Sequence, residues 1–409
     1  MKPTKHNFTI LKQFCNQIPP YLVPKLAKKH EVDKKARSFS PWSHVVSMLH
    51  CQIAHSLSLN DICDTLHNHS TALKSIRSAT PPSRNGLSHA NKVRNADMAE
   101  DLFWSVLSHI QNKHPNFGMG HKYSGLPRRF KRTIYAVDST TIQLVTNCMS
   151  WAKHRRRKAA AKCHMQLNLQ TFLPEFVIVK AAKTHDAKEA VRLCANLKDG
   201  EIALFDKAYI DYKHLNTLEK RGVFWITRAK KNMCYKIEKE CKKAKGAIIS
   251  DIAVKLVNDK AKEAYPSAIR LVKAEVEVNG EMKIMTFMTN NFNWASSSIC
   301  DLYRARWGVE VFFKQIKQTL QLADFLGYSE NAVRWQVWTA LLTYLLLRYI
   351  SFCSKWKGSF SRLFTIIRGV LFQQFDLFSI LESCGTARGS PRMIAAPQQC
   401  YLPGFERFM

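Results

Sequence analysis

The sequence predicts an α/β protein: a mixed sheet flanked by helices, an all-α segment before it, and a β-rich insertion ahead of its last long helices. Three observations carry this prediction. Residues 1–125 show helical periodicity and helix start signals but little β alternation. From residue 133 onward, short alternating apolar runs are interleaved with helical stretches. The strand-like segments within 221–295 lie in a gap far longer than the few residues of a simple strand-to-helix connection. The 409 residues exceed one ordinary domain, and 46% hydrophobic content supports a real core. The expected organisation is a helical N-terminal domain at 1–125, a core at 126–220 and 296–355, the insertion at 221–295, and a tail at 356–409.

In chain order, residues 8–18 are periodic and stop at Pro19-Pro20, and Ser40-Pro41 opens an apolar helix over 42–57. Ser58 caps a further helix at 59–66, with Asp61 and Asp64 in its first turns, where carboxylates suit the helix dipole. The short helices around Ser58 fit either a helix-turn-helix or a plain bundle. Residues 80–86, rich in Pro, Asn and Gly, read as a loop, and 88–113 as helix. A basic linker, 118–132, leads to a strand over 133–144 that carries Asp138 at or near its end. An acid there suits either a metal ligand or a turn.

Half of residues 151–162 are Lys or Arg, which reads as a solvated loop or as a phosphate contact through Arg155, Arg156 and Arg157. Strands follow at 165–171 and 174–179, then a helix at 187–197 capped by Asp186. The short apolar strand 201–205 ends at Asp206, and nearby Asp211 reads as a cap or turn residue. The insertion shows strands at 223–226, 268–278 and 282–289. Its basic clusters, at Arg228, Lys230 and Lys231 and at 236–245, suit a solvated surface or a groove wall equally. Residues 331–352 form a helix that is apolar nearly all round, and the stretch beyond Ser354 is weakly patterned.

Lys and Arg outnumber Asp and Glu 62 to 31, a net charge of +31. Such a field attracts polyanions, nucleic acid above all. No apolar run approaches the ~18 residues a membrane helix needs; the best, 340–347, stops at Arg348. With no signal-peptide pattern at the start, a cytoplasmic, nucleoid-associated protein is expected. The 12 cysteines form no C-x-x-C, which argues for reduced thiols over disulfides or structural zinc. No phosphate-loop or dinucleotide glycine motif occurs.

The most informative stretch is 302–320, which reads as one amphipathic helix. At about 100° per residue, Leu302, Val309, Phe312, Ile316 and Leu320 share a core-facing arc, and Tyr303, Arg306, Glu310, Lys314 and Lys317 share the arc beside it. One carboxylate thus sits among an aromatic hydroxyl and three cations. The plain alternative is an ordinary Glu310–Lys314 helix pair, contributing a few tenths of a kcal/mol.

Tyr303, Arg306, Glu310 and Lys317 match Y-x2-R-x3-E-x6-K without a gap. This resembles the signature of the insertion-sequence-four family of bacterial transposases, DDE enzymes with a ribonuclease-H-like core. Asp138-Ser139-Thr140 is similar to the setting of that family's first catalytic aspartate, and Lys162-Cys163-His164 resembles its K-x-H strand. Asp206 falls where the second aspartate stands, in a D-x-G-Y stretch whose glycine is here Ala208. Residues 7–66 resemble an N-terminal domain often fused to such enzymes, implying recognition of the element's ends.

The resemblance implies a cut-and-paste DNA transposase with Asp138, Asp206 and Glu310 as catalytic, metal-binding acids. It also implies DNA contacts at Tyr303, Arg306 and Lys317, to which Lys314 is added from its place on the same face. Terminal inverted repeats and target DNA would be the partners, in a synaptic homodimer. Carboxylates suit two Mg²⁺ or Mn²⁺ ions, which about 3.5–4 Å apart serve both the attacking and the leaving oxygen of a phosphodiester. The alternatives are a non-catalytic DNA-binding protein or inactive relic, and another ribonuclease-H-like nuclease acting on branched DNA or RNA–DNA hybrids.

Overall fold

The computed structural model describes residues 3–34, 38–118, 130–144, 153–155, 158–181, 186–242, 245–278, 280–320 and 325–384. Among the described residues seven helices come first: α1 (Ile10–Cys15), α2 (Leu22–Lys29), α3 (Pro41–Ala54), α4 (Leu59–Asn68), α5 (Ser70–Lys74), α6 (Arg84–Val93) and α7 (Asp97–Lys113). Their starts follow local chemistry. Ser40 caps α3 with Pro41 in its first turn, and Ser58 and Asp61 cap α4 reciprocally. Ser83 caps α6, so helix begins inside the stretch expected to be a loop. The single helix expected over 88–113 is two, parted where Arg94 adopts extended backbone.

The strands are β1 (Ile134–Leu144), β2 (Lys153–Arg155), β3 (Lys158–Asn168), β4 (Leu173–Ala181), β5 (Ile202–Phe205), β6 (Phe224–Arg228), β7 (Tyr235–Glu240), β8 (Ile248–Leu256), β9 (Ile269–Val278) and β10 (Glu281–Thr289). Between them lie α8 (Asp186–Leu193), α9 (Tyr212–Lys220) and α10 (Asp259–Ala264). After β10 come α11 (Ser296–Ala305), α12 (Trp307–Lys314), a π-helical turn (Gln315–Thr319), α13 (Glu330–Cys353), α14 (Phe360–Gly369) and α15 (Leu377–Cys384). The ten strands of the described residues join one mixed sheet in the order β2-β3-β1-β5-β6-β10-β9-β8-β7, with β4 also on β3. β1, β3 and β4 are antiparallel neighbours, β5 and β6 run parallel to β1, and β10 continues from β6 antiparallel. The strands of 235–289 therefore extend the main sheet.

Several expectations change. Asp138 sits in mid-strand, because β1 runs on to Leu144 against β3. The basic run 151–162 is no single loop: Lys153–Arg155 and Lys158 onward pair as strands. Residues 302–320 are not one helix. Around Arg306 the backbone bonds tighten to i→i+3, from Arg306 N–H to the Tyr303 carbonyl (3.1 Å) and from Val309 N–H to the Arg306 carbonyl (3.0 Å). Beyond Ser354 the described residues form two helices.

The core is organised by α13, buried on almost every side. It packs against α3, α6 and α7 on one flank and against α14 and β4 on others. The Tyr344 hydroxyl donates to the Phe172 carbonyl at 3.1 Å, tying α13 to the sheet. The N-terminal helices and part of the sheet thus share a continuous apolar cluster. No helix among the described residues is long and apolar enough to cross a membrane.

His44 of α3 sits in that junction, its ring 4.4 Å from that of Trp335 and its Nε2 2.8 Å from Asn91 Oδ1. Burial, with Arg94 nearby, holds its pKa down to about 3. The unfolded chain takes up this proton near pH 6.5 and the folded chain only near 3. Stability should therefore fall as pH drops below about 6.5, and His44→Gln should flatten that slope in urea denaturation at pH 4–7.

Candidate active site

The site is built where β1 and β5 run side by side. Val137 pairs with Phe205 in parallel register, so the residues that follow, Asp138 within β1 and Asp206 just past the end of β5, stand on neighbouring backbones. Asp138 Oδ1 accepts the Ser139 N–H at 2.7 Å. Asp206 ends β5 and caps a 3₁₀ turn, accepting the Ala208 N–H at 3.0 Å. This bond is a backbone one, so alanine supplies it as glycine would.

The third acid arrives on α12. One face of 302–320 is fully buried, with Leu302, Val309, Phe312, Ile316 and Leu320 each at most 4% exposed. That anchoring turns Glu310 toward the two strands. Arg306, at the joint between α11 and α12, reaches both sides: one terminal nitrogen lies 2.6 Å from Asp138 Oδ2, the other 2.5 Å from Glu310 Oε1. Arg228, at the end of β6, lies 3.3 Å from Asp206 Oδ2. The Tyr303 ring lies tilted against Phe287 at 5.0 Å, and the Arg306 guanidinium lies 5.6 Å from its centroid.

Asp138 is the most enclosed of the three acids. Burial pushes its carboxyl up to about 6; Arg306 and the Ser139 N–H pull it down, while Asp206 and Glu310 push it up again. Burial works against the Arg306 charge, yet Tyr303, Asp138 and Glu310 hold its pKa above the ordinary arginine value.

Two clefts flank this junction and share Glu310. One, of about 400 Å³, is lined by Asp138, Ser139, Thr140, Phe313, Lys314 and Lys317. The other, of about 390 Å³, is lined by Asp206, Arg228, Met285, Phe287, Tyr303, Arg306 and the half-exposed Trp307. Lys314 is exposed and Lys317 half-buried. Arg155 lies on β2 opposite Lys158, with its side chain not described, and Arg156 and Arg157 lie outside the described residues. Arg228 was legible only as part of a basic cluster; its pairing with Asp206 depends on β5 and β6 being neighbours.

The donor chemistry fits a hard divalent cation: three carboxylates, two of them meeting at one guanidinium. The carboxylates do not close into a ligand cluster as they stand. Among the described residues no group of three or more His, Cys, Asp or Glu is placed to hold a metal ion. Arg306 stands between Asp138 and Glu310 as their shared positive partner.

The sequence matches the transposase DDE domain family over residues 129–346 and a domain of unknown function over residues 6–76. It is 28% identical over 258 residues to a Sinorhizobium fredii protein provisionally named a transposase, covering 62% of this chain and 70% of that one. It is 26% identical to the probable transposase of insertion sequence element IS5377 of Geobacillus stearothermophilus (54% of this chain, 58% of the relative). It is 28% identical to the transposase of insertion sequence element IS4 of Escherichia coli (45% and 42%). The chain thus spans about half the length of the last two. A piggyBac transposase synaptic complex with hairpin DNA overlaps it with a TM-score of 0.42 at 9% identity, covering 96% of this chain and 86% of that one.

Proposed function

The chain belongs to the DDE transposases of the IS4 type, and from that membership we propose that it cleaves and rejoins DNA strands at the terminal inverted repeats of a mobile element. Asp138, Asp206 and Glu310 are its catalytic acids. The observation that supports this reading is their neighbourhood: Asp138 and Asp206 follow a paired register of β1 and β5, and Arg306 joins Asp138 to Glu310 of α12. The antiparallel β1, β3 and β4, continued by the parallel β5 and β6, support a ribonuclease-H-like core. Of the insertion expected at 221–295, β6 joins the core beside β5, so the strands of 235–289 are read as the insertion, and residues 1–125 as the end-recognition domain.

Two Mg²⁺ or Mn²⁺ ions would be held by Asp138, Asp206 and Glu310. Bound there, they supply Lewis-acid stabilisation of the phosphate oxygens and activation of the attacking hydroxyl. The chain's own groups do the rest. The buried face of α12 fixes Glu310, and the paired strands fix both aspartates. Lys314 and Lys317, lining the Glu310 cleft, hold the phosphates flanking the scissile bond. Tyr303 and Arg306 face the second cleft with Asp206 and orient the strand entering there. Target DNA and a second copy of the chain complete the synaptic assembly.

The test is purified protein on end-labelled terminal-repeat DNA with and without Mn²⁺. Ion-dependent nicking and joining are expected. A footprint without cleavage under any divalent ion would overturn the enzymatic reading. Lys314→Ala and Lys317→Ala should each weaken binding about equally for all sequences and reduce the slope of log K against log salt by about 1. Filter binding between 50 and 200 mM NaCl measures this, and an unchanged slope would remove them from the phosphate path.

A further inference from the structure

Arg306 presents two cationic arms to two acids from distant parts of the chain. Its partners are Asp138 Oδ2 and Glu310 Oε1, at 2.6 and 2.5 Å, and Asp138 Oδ1 already accepts a backbone N–H. A cation shared by these carboxylates must draw on the same oxygens. The guanidinium is not fully satisfied where it lies: its Nε is buried with no hydrogen-bond partner. Its backbone is the joint between α11 and α12, and its side chain also lines the cleft with Tyr303, Trp307 and Asp206. It therefore has somewhere to go.

Resting on the reading of Asp138 and Glu310 as metal ligands, we infer that Arg306 is a built-in counter-ion for these two acids, which a divalent cation displaces on entry. The charge balance favours exchange over coexistence. The three acids carry −3 and Arg306 with Arg228 carries +2. A dication added beside a retained guanidinium would set two cations against each other in a partly buried site, where repulsion is about four times its value in water. Displaced into the Trp307 cleft, Arg306 becomes available to a DNA phosphate, for which its planar fork is suited. Ion entry and DNA capture are thereby linked: each favours the same position of one side chain, and each strengthens the other.

The test is Mn²⁺ binding to the full chain without DNA, by isothermal titration calorimetry. Arg306→Gln should bind Mn²⁺ about tenfold more tightly than the wild type, and Asp138→Asn/Arg306→Gln should lose that gain. Arg306→Lys keeps a cation but not the fork, is the milder change for folding, and should fall between. Equal or weaker binding in Arg306→Gln and Arg306→Lys, with wild-type binding still dependent on Asp138, would overturn the inference and make Arg306 a fixed clamp. If no protein binds Mn²⁺ in an Asp138-dependent way, the ligand assignment fails and takes the inference with it.

Discussion

Glu310→Gln should lower metal-dependent cleavage of terminal-repeat DNA by on the order of 10³-fold while leaving the fold and DNA affinity almost unchanged. The kinetic effect follows from removing one charged oxygen ligand. Each ~1.4 kcal/mol of lost transition-state stabilisation is a factor of ten, so three decades need only about 4 kcal/mol. The structural effect should be small for a different reason. The Glu310 side chain is 35% exposed, and glutamine keeps a carbonyl oxygen able to accept from Arg306. Asp138→Asn is a less clean probe, because its side chain is only 16% exposed and the change leaves a buried guanidinium short of one anion. Cleavage of end-labelled DNA in Mn²⁺, with a gel shift and a thermal melt on the same preparation, separates the two. Wild-type cleavage by the glutamine variant would reject Glu310 as a catalytic acid.

What could be read ahead of the structure was what repeats locally. The Ser58 cap, the alternation of β1 and the buried face of 302–320 depend on residues a few positions apart. The break at Arg306 does not: it accompanies an ion pair to Asp138, 168 positions away. No helical-wheel argument contains that partner. β7 was hidden for the opposite reason. It is exposed on both faces, so its sequence shows charge where a half-buried strand would alternate. Asp138 and Asp206 each looked like an acid near a strand end, Asp138 with a turn as its plain alternative and Asp206 with Asp211 as a nearby competitor. What makes them a pair is the parallel register of β1 and β5, a property of the sheet. Family resemblance named both acids without that geometry, and it did not foresee an arginine on each.

Arg270→Met should destabilise the protein by about 3–5 kcal/mol, the range for stripping one partner from a buried ion pair. Arg270 on β9 and Asp251 on β8 are both fully buried. The guanidinium meets the carboxylate through two bonds of 2.8 and 2.6 Å and donates to the carbonyls of Asn291 and Trp294 at 3.1 and 2.8 Å. Ser296, the first residue of α11, donates to Asp251 Oδ2 at 2.5 Å. One pair thus ties β8 and β9 to the turn that launches α11, and through it to Arg306 and Glu310. Burial would raise the Asp251 carboxyl, but Arg270 and Ser296 hold it below the ordinary aspartate value. Its contribution is therefore present above about pH 4 and is lost as pH falls below that. Methionine fills the volume but leaves a buried carboxylate alone, whereas Asp251→Leu/Arg270→Met removes both charges and should recover most of the loss. Urea midpoints at constant slope measure the difference. Cleavage should also fall in the single variant, since an ångström of drift in a catalytic group can cost about 10² in rate. A loss below about 1 kcal/mol for Arg270→Met would mean that water or a neighbouring cation reaches Asp251, and that the β8–β9 strands are not what holds α11 in place.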